Sequence, residues 1–149
     1  GSWEGTMLYP RPDGTRLETS CEVHFGWVLE GRAVQDVWMA PARRARKDGQ
    51  PPLMYGSTLR VYDPGRDEWR ITWNDPVRQV LDTMTGRKVG SDIVQEYRTE
   101  TGAVREWRFT EITADSFHWI AREHGGDPEA WKILGEFFLR RSAADRAGS

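Results

Sequence analysis

Residues 16–28 read Arg16-Leu17-Glu18-Thr19-Ser20-Cys21-Glu22-Val23-His24-Phe25-Gly26-Trp27-Val28. Leu17, Thr19, Cys21, Val23, Phe25 and Trp27 fall on one side of an extended chain; Arg16, Glu18, Ser20, Glu22 and His24 fall on the other. Successive side chains of a strand point to opposite faces, so this period describes a strand with one dry face and one wet face. Working outward, further strand-like runs cover roughly 3–11, 32–40, 54–63, 68–75, 77–84, 89–99, 103–111, 116–123 and 130–140. One helix-like window, about 128–134, is too short to anchor an α/β fold. The reading is all-β.

Turn chemistry fixes the register of three hairpins. Pro12-Asp13-Gly14 suits a three-residue loop with glycine in the left-handed region, which pairs Tyr9 with Leu17. Glu30-Gly31 suits a two-residue turn pairing Leu29 with Arg32, which puts Arg32, Val34, Asp36 and Trp38 on the Leu17–Trp27 face. Glu100-Thr101-Gly102 aligns Ile93, Gln95 and Tyr97 with Arg105, Trp107 and Phe109. Other junctions stay open. Asp63-Pro64-Gly65 turns the chain between Leu59/Val61 and Trp69/Ile71/Trp73. Asp75-Pro76 seats either Val80/Asp82/Met84 or Leu81/Thr83 inward, and Ala114-Asp115 leaves Phe117/Trp119 and His118/Ile120 as alternatives. Residues 40–52 form a long polar connection.

About ten short strands joined by hairpin-length connections close into an up-and-down antiparallel barrel of about 8–10 strands, with a β-sandwich as the alternative. The expected organisation is one domain over 1–141 and a disordered polar tail over 142–149.

Composition sets the outer bounds. The 149 residues carry 21 basic and 23 acidic side chains, for a formal net charge of −2. That balance argues against a general nucleic-acid or anionic-membrane binder. Lysine is scarce beside arginine, which reads as a coding bias and not as phosphate recognition. One cysteine makes neither an internal disulfide nor a multi-thiolate zinc site, and three scattered histidines give no chelating pair. No apolar run reaches the ~20 residues of a membrane span and no secretory core is present, so the expected location is the cytoplasm. No resident cofactor or metal is expected, and a homodimer is left open.

The residues resemble a known group. Gly1-Ser2-Trp3 resembles the Gly-x-Trp that opens lipocalins and other calycins, with Arg140 or Arg141 as the late arginine packed across that tryptophan. The stretch from Phe25 to Trp38, and Tyr62-Asp63-Pro64 followed by Trp69 and Trp73, resemble a bacterial lipocalin-like family. The resemblance covers most of the chain. It implies a calyx with a hydrophobic interior site. Barrels of this kind include carriers, haem-binding nitrobindins and cofactor-free enzymes such as spirotetronate cyclases and phenolic acid decarboxylases, so the fold does not choose between binding and catalysis.

The candidate residues follow from register and chemistry. Trp27, Trp38, Trp73, Trp107 and Trp119 would line an aromatic pocket, flat rings giving large contact area with few rotors; equally, they would fill a solid core. Arg32, Gln95 and Asp36 would orient a polar group, since a buried charge needs a partner. Four residues along a strand span ~13 Å, so Arg32 and Asp36 need other partners, with Gln95, Arg105 and Asp82 as candidates. Asp36, Tyr97 and His118 are the candidates for proton transfer in an enzyme. His118 is also the one haem-ligand candidate. Cys21, facing inward among apolar groups, reads as filler. Arg43-Arg44-Ala45-Arg46-Lys47 reads as a solvated loop, or a lid if it lies at a barrel mouth. The expected function is binding of a hydrophobic or aromatic small molecule in the interior. The alternative is a cofactor-free cyclase or isomerase of natural-product assembly, and haem binding is the third reading.

Overall fold

A computed structural model describes residues 1–143. Ten strands follow one another: β1 (Ser2–Pro10), β2 (Arg16–Val28), β3 (Ala33–Ala40), β4 (Met54–Asp63), β5 (Glu68–Asp75), β6 (Val80–Val89), β7 (Asp92–Arg98), β8 (Val104–Thr110), β9 (Ser116–His124) and β10 (Lys132–Arg141). Each pairs with its neighbour in sequence, and β1 pairs with β10, so the sheet closes into an antiparallel barrel without crossovers. Closure leaves no strand edge exposed, which a meander of this length otherwise would. The sandwich alternative is excluded by the β1–β10 ladder, which runs from Trp3↔Arg141 to Leu8↔Glu136.

All three hairpin registers are as the turn residues dictate: Tyr9 opposes Leu17, Trp27 opposes Val34, and Gln95 opposes Trp107. Gly14 (φ 83°) and Gly102 (φ 84°) supply the left-handed residue of their loops. The second turn is longer than read, because the ladder ends at Val28↔Ala33 and residues 29–32 form the loop. Pairing is unchanged, but Arg32 sits in the turn, exposed and ion-paired with Glu30 at 2.7 Å, and cannot orient anything inside.

Two readings are corrected, those of Trp27 and of β4, and two open junctions each take one of their alternatives. Trp27 keeps the inward side of its strand but lies at the strand's end, 70% exposed, so it lines nothing. At the β4–β5 turn, Arg60 opposes Ile71 and Thr58 opposes Trp73, which sends Thr58 and Arg60 inward and Leu59 and Val61 outward. Val80, Asp82 and Met84 share the inward side of β6, whereas Leu81 is exposed. Phe117 and Trp119 are core residues, so His118 between them faces out, where it stacks on Phe138 at 4.1 Å.

Boundaries shift at β6 and β7, because Pro76–Gln79 form a four-residue turn ahead of Val80. The helix-like window is not helical: Pro128 and Glu129 form a turn and Ile133 and Leu134 lie in β10. Of the expected tail, Ser142 is buried and donates its backbone N–H to Ser2 O at 2.8 Å; residues 144–149 lie outside the described residues.

The strand directions give the barrel two ends. One carries the loops 29–32, 64–67, 90–91 and 111–115; the other carries 11–15, 41–53, 76–79, 99–103 and 125–131. The first end is plugged by rings. Trp3 packs on Phe117 (5.0 Å), and Phe117 on Phe109 (5.5 Å) and Phe25 (6.1 Å). Arg141 lies 4.4 Å over the Trp3 ring, capping it at the point where the barrel closes.

Candidate functional site

Above the plug the interior becomes polar. Arg60 reaches in from β4, its guanidinium over the rings of Phe25 and Phe109, and donates to Asp36 on β3 and, at 2.8 Å, to Gln95 Oε1 on β7. Asp36 is 1% exposed; its other carboxylate oxygen accepts the Thr58 backbone N–H at 2.8 Å. A carboxylate held this way is compensated, which is what makes its burial tolerable. Gln95 is 0% exposed, and its Nε2 has no partner among the described residues.

Towards the other end the packing opens into a cavity of about 530 Å³. Trp38, Trp73, Trp107 and Trp119 form its walls, Trp107 edge-to-face with Trp73 at 5.7 Å and with Trp119 at 5.5 Å, and Trp38 tilted against Trp119 at 5.3 Å. Gly56 makes room for one of them: a Cβ there would meet the Trp73 ring at 2.4 Å. At the upper wall the Tyr97 hydroxyl donates to Asp82 at 2.9 Å and accepts from Arg105 at 3.3 Å. Burial, and then the Asp82 carboxylate, push that phenol above its ordinary value against the opposing pull of Arg105. Tyr97 therefore keeps its proton at neutral pH and donates it in the hydrogen bond to Asp82. Arg105 is tied to Glu123 at 2.6 Å, and its hydrogen bonds hold the guanidinium charged.

The rim is built by Tyr9, Arg11, Asp75, Arg78 and Lys132. Asp75 caps its turn by accepting the Val77 and Arg78 backbone N–H groups at 2.9 and 3.0 Å. The 41–53 connection runs at this end, held by the Arg43 ion pair with buried Glu22, by Ala42 N–H on Ser20 O and, next to the rim, by Arg78 Nε–H on Leu53 O at 3.0 Å. Met54, at its close, lines the cavity; the basic run itself does not.

Of the residues singled out in the sequence, Trp38, Trp73, Trp107, Trp119 and Tyr97 meet around this cavity. Asp36 and Gln95 lie beneath it, sealed behind Arg60. Trp27, Arg32 and His118 are elsewhere, His118 beside Glu136 at 3.2 Å on the outer face. Among the described residues no histidine lines the cavity. Sequence reasoning missed Arg60, whose neighbours Leu59 and Val61 carry the stronger apolar signal. The demand of Asp36 for a cationic partner was the one clue to it. Cys21 is buried, and its thiol is pushed up to about 12 chiefly by desolvation.

No family model and no curated protein matches the sequence. Among solved structures, the chain is similar to the crystal structure of Rv2717c from M. tuberculosis, with 19% identity and a TM-score of 0.64 over 95% of this chain and 91% of that one. At that identity the likeness is one of fold, and it extends over nearly the whole of both chains.

Proposed function

We propose that the barrel binds a hydrophobic or aromatic small molecule in its interior, as a calycin-like carrier does. The observation that carries this reading is the tryptophan-walled cavity of about 530 Å³, plugged at one end and open at the other. That volume lies within the range of small-molecule sites, roughly 300–1,000 Å³, and its polar groups sit at the floor, the upper wall and the rim, leaving the tryptophan faces for a ligand's body. The sequence resemblance to calycins supports the same reading. Titration with N-phenyl-1-naphthylamine, an uncharged fluorescent naphthalene, tests it. Binding is expected in the micromolar range, and Ala121→Phe, which fills the cavity from β9, is expected to weaken it at least ~10-fold while the β-type circular dichroism is retained. No binding to the wild-type barrel would sink the reading.

One observation favours a second reading, the cofactor-free cyclase or isomerase. Tyr97 lines the cavity as a protonated phenol that donates to Asp82, in reach of a bound molecule. In such an enzyme Tyr97→Phe would lower turnover ~10²-fold or more with affinity unchanged. A carrier would release its ligand chemically intact. The haem reading is not carried forward, since it rested on His118.

A further inference from the structure

The floor and the rim of the cavity differ in how their charges are spent. At the floor Arg60 is matched by Asp36, and on the upper wall Arg105 is matched by Glu123. The acids at the mouth have partners too, with one oxygen, Asp75 Oδ2, making no hydrogen bond among the described residues. Asp82 accepts from Tyr97, Asp75 accepts two backbone N–H groups and lies 3.8 Å from Arg78, and Asp13 accepts from Thr15. Arg11 and Lys132 are different. Both are exposed and line the cavity, and neither makes an ion pair among the described residues. The ladder that sets Leu8 against Glu136 brings the end of β1 alongside the start of β10, so the two cations share one side of the mouth. Arg78 joins them there, its guanidinium 5.9 Å over the Tyr9 ring.

We propose that the ligand is an organic acid that enters apolar end first, its body against Trp73, Trp107 and Trp119 and its acid group left at the mouth beside Arg11 and Lys132. This rests on the cavity reading above and adds the ligand's charge and orientation to it. The reverse orientation is disfavoured because an acid at the floor would have to share the Arg60 guanidinium with Asp36, and two carboxylates that close oppose each other's ionisation. At the mouth the acid meets cations that make no ion pair among the described residues, Arg11 interacting with the nearby Asp13 carboxylate at longer range, in water-accessible surroundings that spare it full desolvation.

Two probes with one aromatic skeleton test this: 8-anilinonaphthalene-1-sulfonate, which is anionic, and N-phenyl-1-naphthylamine, which is uncharged. Each is titrated against the wild type and the exposed double variant R11Q/K132Q. The variant is expected to weaken sulfonate binding about tenfold and to leave the neutral probe within about twofold. Raising salt from about 20 mM to about 500 mM is expected to weaken the sulfonate on the wild type and far less on the variant. Equal responses of the two probes, or a sulfonate indifferent to the variant, overturn the proposal and leave the cavity reading standing. If neither probe binds, the cavity reading falls and the proposal with it. Ala121→Phe is expected to block both probes; a sulfonate that still binds is on the outer surface, and that also overturns the proposal.

Discussion

Asp36 and Arg60 hold each other inside the barrel where neither would be stable alone, the carboxylate buried and the guanidinium 11% exposed. Asp36→Leu leaves a buried guanidinium without its counter-charge and frees the Thr58 N–H, and is expected to cost about 3–5 kcal/mol in urea unfolding. The double variant Asp36→Leu/Arg60→Met strands neither charge, so it is expected to cost clearly less than the two single changes summed. A strictly additive cycle would mean that the pair does not stabilise the fold. Cys21 provides a pH test. Its ordinary value is 9.0 and folding raises it to about 12, so the folded state binds the thiol proton more tightly than the unfolded chain. That contribution is complete below about pH 9 and is lost as pH rises towards 12, with a slope of up to ~1.4 kcal/mol per unit. Wild-type stability is expected to fall relative to Cys21→Ala over that window. Parallel curves would show that the thiol titrates normally.

Among the elements, β2 and the three read hairpins were legible because their turn residues and their apolar alternation point to one register. The β4 strand was not, since Leu59 and Val61 outweigh Thr58 and Arg60 in apolarity and face outward all the same. Its direction comes from the long-range ladder Asp36↔Thr58, across a connection too long for turn rules to govern. His118 was ambiguous for a related reason: Phe117-His118-Trp119-Ile120 is apolar on both sides, so period two alone chooses no face. The pairing of β1 with β10 has a local requirement that the sequence states as a single glycine. A Cβ on Gly5 would sit 1.8 Å from the Phe138 carbonyl oxygen, a backbone atom that cannot step aside. Gly5→Ala is therefore expected to separate the closing strands, at a cost of about 3 kcal/mol or more and with faster amide exchange in β1 and β10. Gly86→Ala is the comparison. Its Cβ would meet side chains and no backbone, the Ile71 tip at 2.7 Å and Gln95 Cγ at 3.3 Å, and a cost of about 1–2 kcal/mol is expected. Equal costs would mean that the backbone contact is not what makes glycine necessary at position 5.

At the scale of the molecule, ten strands and their turns imply a barrel, but not which end of it is open. That depends on where the rings meet: Trp3 and Phe25 from β1 and β2 join Phe109 and Phe117 from β8 and β9, far along the chain, and close one end, while the tryptophans above them touch edge to face around a space. The asymmetry predicts how stability is distributed. Amides of the turns at the plugged end, such as Gly31 and Ser91, open without disturbing the cavity, whereas openings around Asp75–Val80 and Lys132–Gly135 take its wall apart. A molecule bound in the cavity must leave before its wall opens, so it slows those openings alone. With N-phenyl-1-naphthylamine at about 100 times its Kd, hydrogen exchange at Val80, Tyr97 and Gly135 is expected to slow by up to ~100-fold, following the linkage of binding to opening. Exchange at Gly31 and Ser91 is expected to stay unchanged. Slowing at the plugged-end turns, or none at the mouth, would mean that the probe sits somewhere other than among the tryptophans.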